Sequence, residues 1–79
     1  MNITLNVQES QDYQKIILPA IYHAQPGTLM FFRDFFNPIS RTASPRLARF
    51  LYEEITYRTS LNGIVRLKGS RMRDGIVKL

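Results

Sequence analysis

The sequence predicts a small α+β domain, and three observations support this fold class. A Ser-Pro pair near the middle of the chain introduces a strongly amphipathic helical pattern. Two short apolar runs at the C-terminal end are separated by a turn, as in a β-hairpin. The chain has 79 residues, 44% of them hydrophobic, which is enough for one core. Because cores of this size are often completed by a second copy of the chain, we expect a homodimer.

The N-terminal segment alternates apolar and polar residues. This alternation over residues 1–7 predicts a strand, with Ile3, Leu5 and Val7 on one face. We interpret it as an edge strand or a dimer contact, paired either within the chain or across a dimer.

A first helix is predicted over residues 10–24, with Ser10 as its N-cap. Pro19 is expected to kink or split this helix, because proline lacks an amide donor and crowds the preceding turn. Pro26 and Gly27 follow as a turn. The predicted inner face consists of Tyr13, Ile16, Ile17, Ala20, Ile21 and Ala24.

The next segment is the most apolar of the chain. Residues 28–32 predict a brief buried strand, and Arg33 begins a helix of one to two turns closed by Asn37 and Pro38. Residues 40–43 are a polar loop. Five phenylalanines are assigned to the core rather than to a base-stacking surface: Phe31, Phe32, Phe35, Phe36 and Phe50.

The clearest helix is predicted over residues 44–58. Ser44 supplies the N-cap and Pro45 the first helical position, where its missing N–H and fixed φ are tolerated. The apolar stripe of this helix consists of Leu47, Phe50, Leu51 and Ile55. The opposite face carries Arg46, Arg49, Tyr52, Glu53 and Thr56.

Residues 63–68 and 75–79 are predicted to be the two strands of a hairpin. Arg71 and Arg73 lie in the loop between them, and Arg66 and Lys68 are close by in sequence. Such a density of basic residues at a hairpin tip favours contact with phosphate. The alternative is a hairpin whose edge is protected by charge.

Positive charge is concentrated in the second part of the chain. Residues 1–32 contain one base and two acids, whereas residues 33–79 contain ten bases and four acids. This asymmetry, with a net charge of +5 and a pI near 10.1, indicates a polyanionic partner. The alternative is a charge that serves solubility only.

Opposite charges close in sequence predict internal ion pairs. We expect Arg33 to pair with Asp34, and Glu54 with Arg58 four residues on, fixing the short helix against the long one. Arg49 is also four residues from Glu53, so a pair of these two is the alternative to a DNA contact by Arg49.

The sequence offers little for catalysis. It has no cysteine, and its single histidine, His23, lacks neighbours at the spacing of metal ligands. Its glycines are scattered turn residues rather than a phosphate-binding loop. We therefore expect no enzyme, cofactor, metal or small-molecule substrate. The lack of cysteine, of a leader-like N-terminus and of a long apolar run predicts a soluble cytoplasmic protein that does not enter membranes.

Apart from the N-terminal strand, the predicted order of elements resembles the winged helix-turn-helix fold. In that fold a helix, a strand, two further helices and a two-stranded wing follow one another. The resemblance implies that residues 44–58 are a recognition helix in the major groove of duplex DNA and that residues 64–79 are a basic wing. The residues that it assigns to DNA contact are Ser44, Arg46, Arg49, Tyr52, Arg66, Lys68, Arg71 and Arg73.

A narrower resemblance covers residues 26–58. It is carried by Gly27-Thr28, Phe31, Arg33-Asp34-Phe35-Phe36, Ile39-Ser40 and Arg46-Leu47-Ala48-Arg49. This pattern is similar to a family of short uncharacterised domains from bacteria, plasmids and phages. Phe35 and Ala48 depart from the family pattern, which has Leu and Gly there. The family has no settled function, and the resemblance implies a mobile-element origin.

These observations favour a duplex-DNA-binding transcriptional regulator that acts as a homodimer. The alternative is a protein-interaction module, such as an adaptor or inhibitor encoded by a phage or plasmid, whose basic face docks on an acidic partner. RNA binding is a third possibility, which requires exposed aromatic side chains for base stacking.

Overall fold

The computed structural model describes residues 3–32, 45–58, 60–69 and 75–79. Within these ranges the protein contains two helices and a three-stranded antiparallel sheet, which confirms the α+β class. Helix α1 covers residues 7–23, and helix α2 is Pro45–Thr56. The strands are β1, Leu29–Met30, β2, Val65–Leu67, and β3, Ile76–Lys78.

The predicted N-terminal strand is wrong, because a helix begins within it. Asn6 is the N-cap of α1, and its side-chain oxygen accepts from the Glu9 backbone N–H at 2.7 Å. The Glu9 carboxylate accepts from the Asn6 N–H at 3.0 Å, which completes a capping box. Ser10 is therefore not the N-cap, since its own N–H already donates to the Asn6 carbonyl in the first turn. This reciprocal cap gives hydrogen-bond acceptors to two backbone N–H groups at the start of the helix, those of Asn6 and Glu9.

Helix α1 runs through Pro19 and adjusts to it with a wider turn. Its α-helical segments, Val7–Asp12 and Leu18–His23, are joined by a π-helical segment, Tyr13–Ile17. The Leu18 N–H donates to the Tyr13 carbonyl, five residues back. Pro19 follows at once, at the start of the second α-helical segment, where a missing donor is best tolerated. The expected perturbation therefore takes the form of a π turn.

The wider turn also changes which residues of α1 face the core. Tyr13, Ile17 and Ile21, spaced every four residues, are buried as predicted. Ile16 is 40% exposed and Ala20 is also exposed, which corrects their assignment to the inner face. A π segment takes more residues per turn than the 3.6 of an α-helix. Residues spaced by four therefore stay on one side of α1.

Helix α2 closes the core from the other side. Leu47, Leu51 and Ile55 are buried, and Phe50 is partly buried with its ring edge-on to Tyr13 at a centroid distance of 5.0 Å. The predicted stripe is therefore confirmed, although the helix ends at Thr56, slightly before the expected end. The stripe belongs to the same buried cluster as Tyr13, Ile17 and Ile21 of α1. The other members of this cluster are Phe32, Leu61, Val65 and Ile76.

Strand β3 is the centre of the sheet, with the order β1-β3-β2. It pairs antiparallel with both neighbours, which confirms the hairpin and the short strand, with narrower bounds than predicted. Strand β1 is not fully buried, because it occupies an edge. Leu29 is 41% exposed and Phe31 is 38% exposed, so Phe31 does not belong to the core. Phe35, Phe36 and the predicted helix and loop around them lie outside the described residues.

Two residues of the β3 segment fix the sheet in place. At Gly75, φ is +147°, and a Cβ atom there would lie 2.6 Å from the Met30 carbonyl oxygen, so only glycine permits this close approach of the chains. Lys78 donates from Nζ to the Ile21 carbonyl at 3.0 Å. A cation at the last carbonyls of α1 stabilises the C-terminal end of that helix.

Candidate functional site

Helix α2 presents two arginines to solvent. Arg46 and Arg49 are exposed and lie one turn apart, because the buried stripe of Leu47 and Leu51 fixes the opposite side of the helix against the core. Tyr52, the third predicted contact on this helix, is only partly exposed. The exposed start of α2 is therefore basic in the described residues.

Arg46 also has an internal partner, which the sequence did not predict. Its Nε lies 3.6 Å from Oε2 of Glu9, whose side chain is 9% exposed. The other oxygen of Glu9, Oε1, accepts from the Asn6 N–H. These three residues, which we call the helix junction, tie the N-cap of α1 to the first turn of α2. The Arg46 side chain remains 55% exposed, and its guanidinium has further N–H donors that can reach an anion.

The hairpin strand β2 carries two more cations. Arg66 and Lys68 are exposed, whereas Val65 is buried and Leu67 partly buried, as expected when alternate residues of a strand face opposite sides. Arg66 lies opposite Val77, on the outer side of the sheet. Among the described residues, no carboxylate pairs with either cation. We call Arg66 and Lys68 the hairpin cations.

Helix α2 packs against β2, so the two basic elements are neighbours. The arginines at the start of α2 and the hairpin cations therefore belong to adjacent parts of the structure. Three further predicted contacts, Ser44, Arg71 and Arg73, lie outside the described residues.

Arg58 has a structural partner, as the sequence predicted. Its Nε lies 3.6 Å from Oε1 of Glu54, one turn earlier in sequence. Ser60 donates a hydrogen bond to the same carboxylate. This pair holds the chain where it leaves α2. The other predicted pair, Arg33 with Asp34, lies outside the described residues.

Aromatic side chains are also found at the surface. Tyr57, just after α2, is 73% exposed, and Tyr22 near the end of α1 is 51% exposed. Lys78 lies over the Tyr22 ring, with Nζ 5.8 Å from its centroid, a geometry that favours a cation–π contact. Tyr57 is therefore a surface aromatic residue.

Part of this arrangement could have been found in the sequence. The spacing of Asn6 and Glu9 matches a capping box, but the apolar alternation around them suggested a strand instead. The contact of Glu9 with Arg46 joins residues far apart in the chain and has no local signal.

Comparisons of the chain with protein families, curated proteins and solved structures found no match. Among the described residues, no group of three or more His, Cys, Asp or Glu side chains is arranged to hold a metal ion. None of the helices in the described ranges combines the length and apolar character needed to cross a bilayer.

Proposed function

We propose that this protein binds duplex DNA as a small transcriptional regulator with a winged helix-turn-helix-like arrangement. In this proposal α2 lies in the major groove, and the hairpin of β2 and β3 contacts the phosphate backbone. The homodimer and the mobile-element origin predicted above belong to the same proposal.

The observation that carries the proposal is the packing of two elements that each carry exposed cations. Arg46 and Arg49 are exposed at the start of α2, and Arg66 and Lys68 are exposed on the strand packed against that helix. Most protein–DNA hydrogen bonds go to phosphate and sugar. Basic side chains on neighbouring elements can contact the DNA backbone while a helix in the groove contacts the edges of the nucleobases.

The connectivity of the described elements supports the winged arrangement. The order is α1, β1, α2, β2 and β3, and β1 pairs with β3 so that the hairpin is held to the body of the domain. A hairpin anchored in this way holds its exposed cations on paired strands rather than on a loose loop. Of the two helices that the winged pattern has between its first strand and its wing, the described residues contain one, α2; the other is predicted in residues 33–44, which lie outside them.

The salt dependence of binding tests this proposal directly. Each phosphate neutralised by a cation contributes about −0.9 to the slope of log K against log salt, because condensed counterions are released. We expect the protein to bind random-sequence duplex DNA, with an affinity that falls steeply between low and physiological salt. Fluorescence anisotropy with a labelled duplex measures both the affinity and the slope.

A charge-matched pair of variants locates the contact. Arg66→Ala should flatten the slope by about one, since it removes one phosphate contact. Lys15→Ala removes the same charge from the exposed surface of α1 and should leave the slope unchanged. Equal effects of both variants would show that only net charge matters. No binding at low salt would reject DNA as the ligand and favour docking on an acidic protein, and tighter binding to single-stranded RNA would favour the RNA alternative.

A further inference from the structure

The segment that contains β1 is apolar at the surface and carries no charge. Residues 25–32 include no acidic or basic side chain, in a chain with a net charge of +5. Two apolar side chains of this segment are exposed to solvent, Leu29 by 41% and Phe31 by 38%. We call residues 28–31 the neutral edge.

The order of the strands makes β1 one of the two edges of the sheet. Strand β3 is central, so β1 and β2 each have one side that pairs with no described strand. The hairpin cations lie on the β2 edge, and charged side chains of this kind discourage an edge from pairing with another chain. The neutral edge has no such protection among its own residues.

The backbone of Leu29 points away from the sheet. The Thr28 carbonyl accepts from the Lys78 N–H at 2.9 Å, and the Met30 carbonyl oxygen faces Gly75, so both residues turn towards the β3 segment. Since successive residues of a strand turn their N–H and C=O groups to opposite sides, those of Leu29 point outward. No described residue forms a hydrogen bond with them. Outward backbone groups on an edge are a template for a further extended chain.

The absence of charge indicates which extended chain fits this edge. An acidic or basic peptide finds no opposite charge on residues 25–32. Two copies of a basic chain, in contrast, repel one another least where neither carries charge. A two-fold axis also makes the edge its own complement, because both copies supply the same residues. The neutral edge therefore fits a second copy of this chain.

We propose that two copies of the chain pair antiparallel through β1, with Leu29 opposite the partner's Leu29. Each of these two residues donates its N–H to the carbonyl of the other, as in a hydrogen-bonded pair of an antiparallel sheet. The exposed side chains of Leu29 and Phe31 alternate with Met30 and so lie on one face of the joined sheet, where the two copies meet.

This inference rests on the homodimer of the proposed function and names its interface. The joined sheet has β2 at both ends, so the hairpin cations of each copy stay exposed. The neutral edge also takes the place of the dimer contact expected in residues 1–7, where helix α1 begins instead of a strand.

The mass of the full chain in solution, measured without DNA, tests the proposal. Because β1 has only two residues, the interface is small and we expect a reversible dimer. In sedimentation velocity the mean mass should rise from 9.2 kDa towards twice that value as the protein concentration increases. The range from about 10 µM to about 1 mM covers the affinities expected for so small an interface. A mass that stays at 9.2 kDa throughout would overturn the proposal.

A charge-matched pair of variants locates the interface. Leu29→Lys places a charge at the edge and should move the midpoint of dimerisation to a concentration about tenfold higher or more. Ile16→Lys is the control, because Ile16 is 40% exposed on α1 and the change in net charge is the same. It should leave the midpoint within about twofold of the parent protein. Equal shifts in both variants would show that net charge alone governs association, and the proposed interface would be wrong.

Leu29→Cys tests the pairing without adding a charge. The chain has no cysteine, so this variant carries a single thiol. In a hydrogen-bonded pair the two Cα atoms lie about 5.5 Å apart, which a disulfide can span. Under mild oxidation Leu29→Cys should therefore form a covalent dimer about tenfold faster than Ile16→Cys at the same concentration. Equal rates would contradict the proposal.

The outcomes separate this interface from DNA binding, because none of these assays contains DNA. A chain that stays monomeric but binds duplex DNA would overturn the interface alone. A chain that dimerises through Leu29 but binds no DNA would support the interface and reject only the DNA contact.

Discussion

The helix junction and the hairpin use positive charge in opposite ways. At the junction, Arg46 approaches a carboxylate that is 9% exposed, and the contact joins the starts of the two helices. On the hairpin, Arg66 and Lys68 are exposed and have no carboxylate partner in the described ranges. A basic sequence does not by itself show which of its cations are available to a ligand. In the proposed DNA complex the hairpin cations contact phosphate, and the junction combines a structural role with an exposed arginine.

The greatest loss of stability is expected from a change where the hairpin attaches to β1. Gly75→Ala places a Cβ atom 2.6 Å from the Met30 carbonyl oxygen at a φ of +147°. The steric overlap and the backbone strain together should lower the free energy of unfolding by about 3 kcal/mol. Gly63→Ala is the control, because its φ is +88° but nothing lies within 4 Å. We expect a loss of about 1 kcal/mol there. Urea denaturation measures both, and equal losses would contradict the close approach of Gly75 to Met30.

The next effect concerns the junction. Glu9→Ala removes the capping carboxylate of α1 and the partner of Arg46, and should cost about 2 kcal/mol of stability. Glu9→Gln keeps an acceptor for the Asn6 N–H but loses the charge, so its cost should be about 1 kcal/mol. Thermal or urea unfolding of both variants checks this order. If both variants were as stable as the parent protein, the junction would not hold the helices together.

The smallest stability effect is expected at Arg58. Its pair with Glu54 spans one helical turn, and its side chain is 51% exposed. Such pairs contribute little in water, so Arg58→Ala should cost about 0.5 kcal/mol or less. The same unfolding measurement applies, with Lys15→Ala as an exposed control. A loss of stability as large as that of Glu9→Ala would contradict this, because it would mean that the Arg58–Glu54 pair stabilises the fold as much as the junction does.

The parts of the fold that the sequence predicted are those set by local periodicity. The stripe of Leu47, Leu51 and Ile55 repeats at helical spacing, and the alternation of Val65, Arg66 and Leu67 matches a strand with one buried face. Neither pattern depends on distant residues. The exposure of Arg46, Arg49, Arg66 and Lys68 followed from the same periodicity.

The errors arose where one pattern admits two structures or where packing decides. Ile3, Leu5 and Val7 alternate as in a strand, yet the capping box of Asn6 and Glu9 begins a helix there. The π segment before Pro19 has no signature in the residues themselves, although it moves Ile16 to the surface. The ion pair of Arg46 with Glu9 forms only when α1 and α2 pack, so no local pattern reveals it.

The most direct test of the difference between the two regions compares two double variants with the same net charge. Arg66→Ala with Lys68→Ala removes the hairpin cations, whereas Lys15→Ala with Arg58→Ala removes one cation from α1 and one engaged with Glu54. Salt-dependent anisotropy with random duplex DNA should show a slope flattened by about two in the first variant and unchanged in the second. Equal slopes in both variants would contradict the assignment of the phosphate contacts to the hairpin.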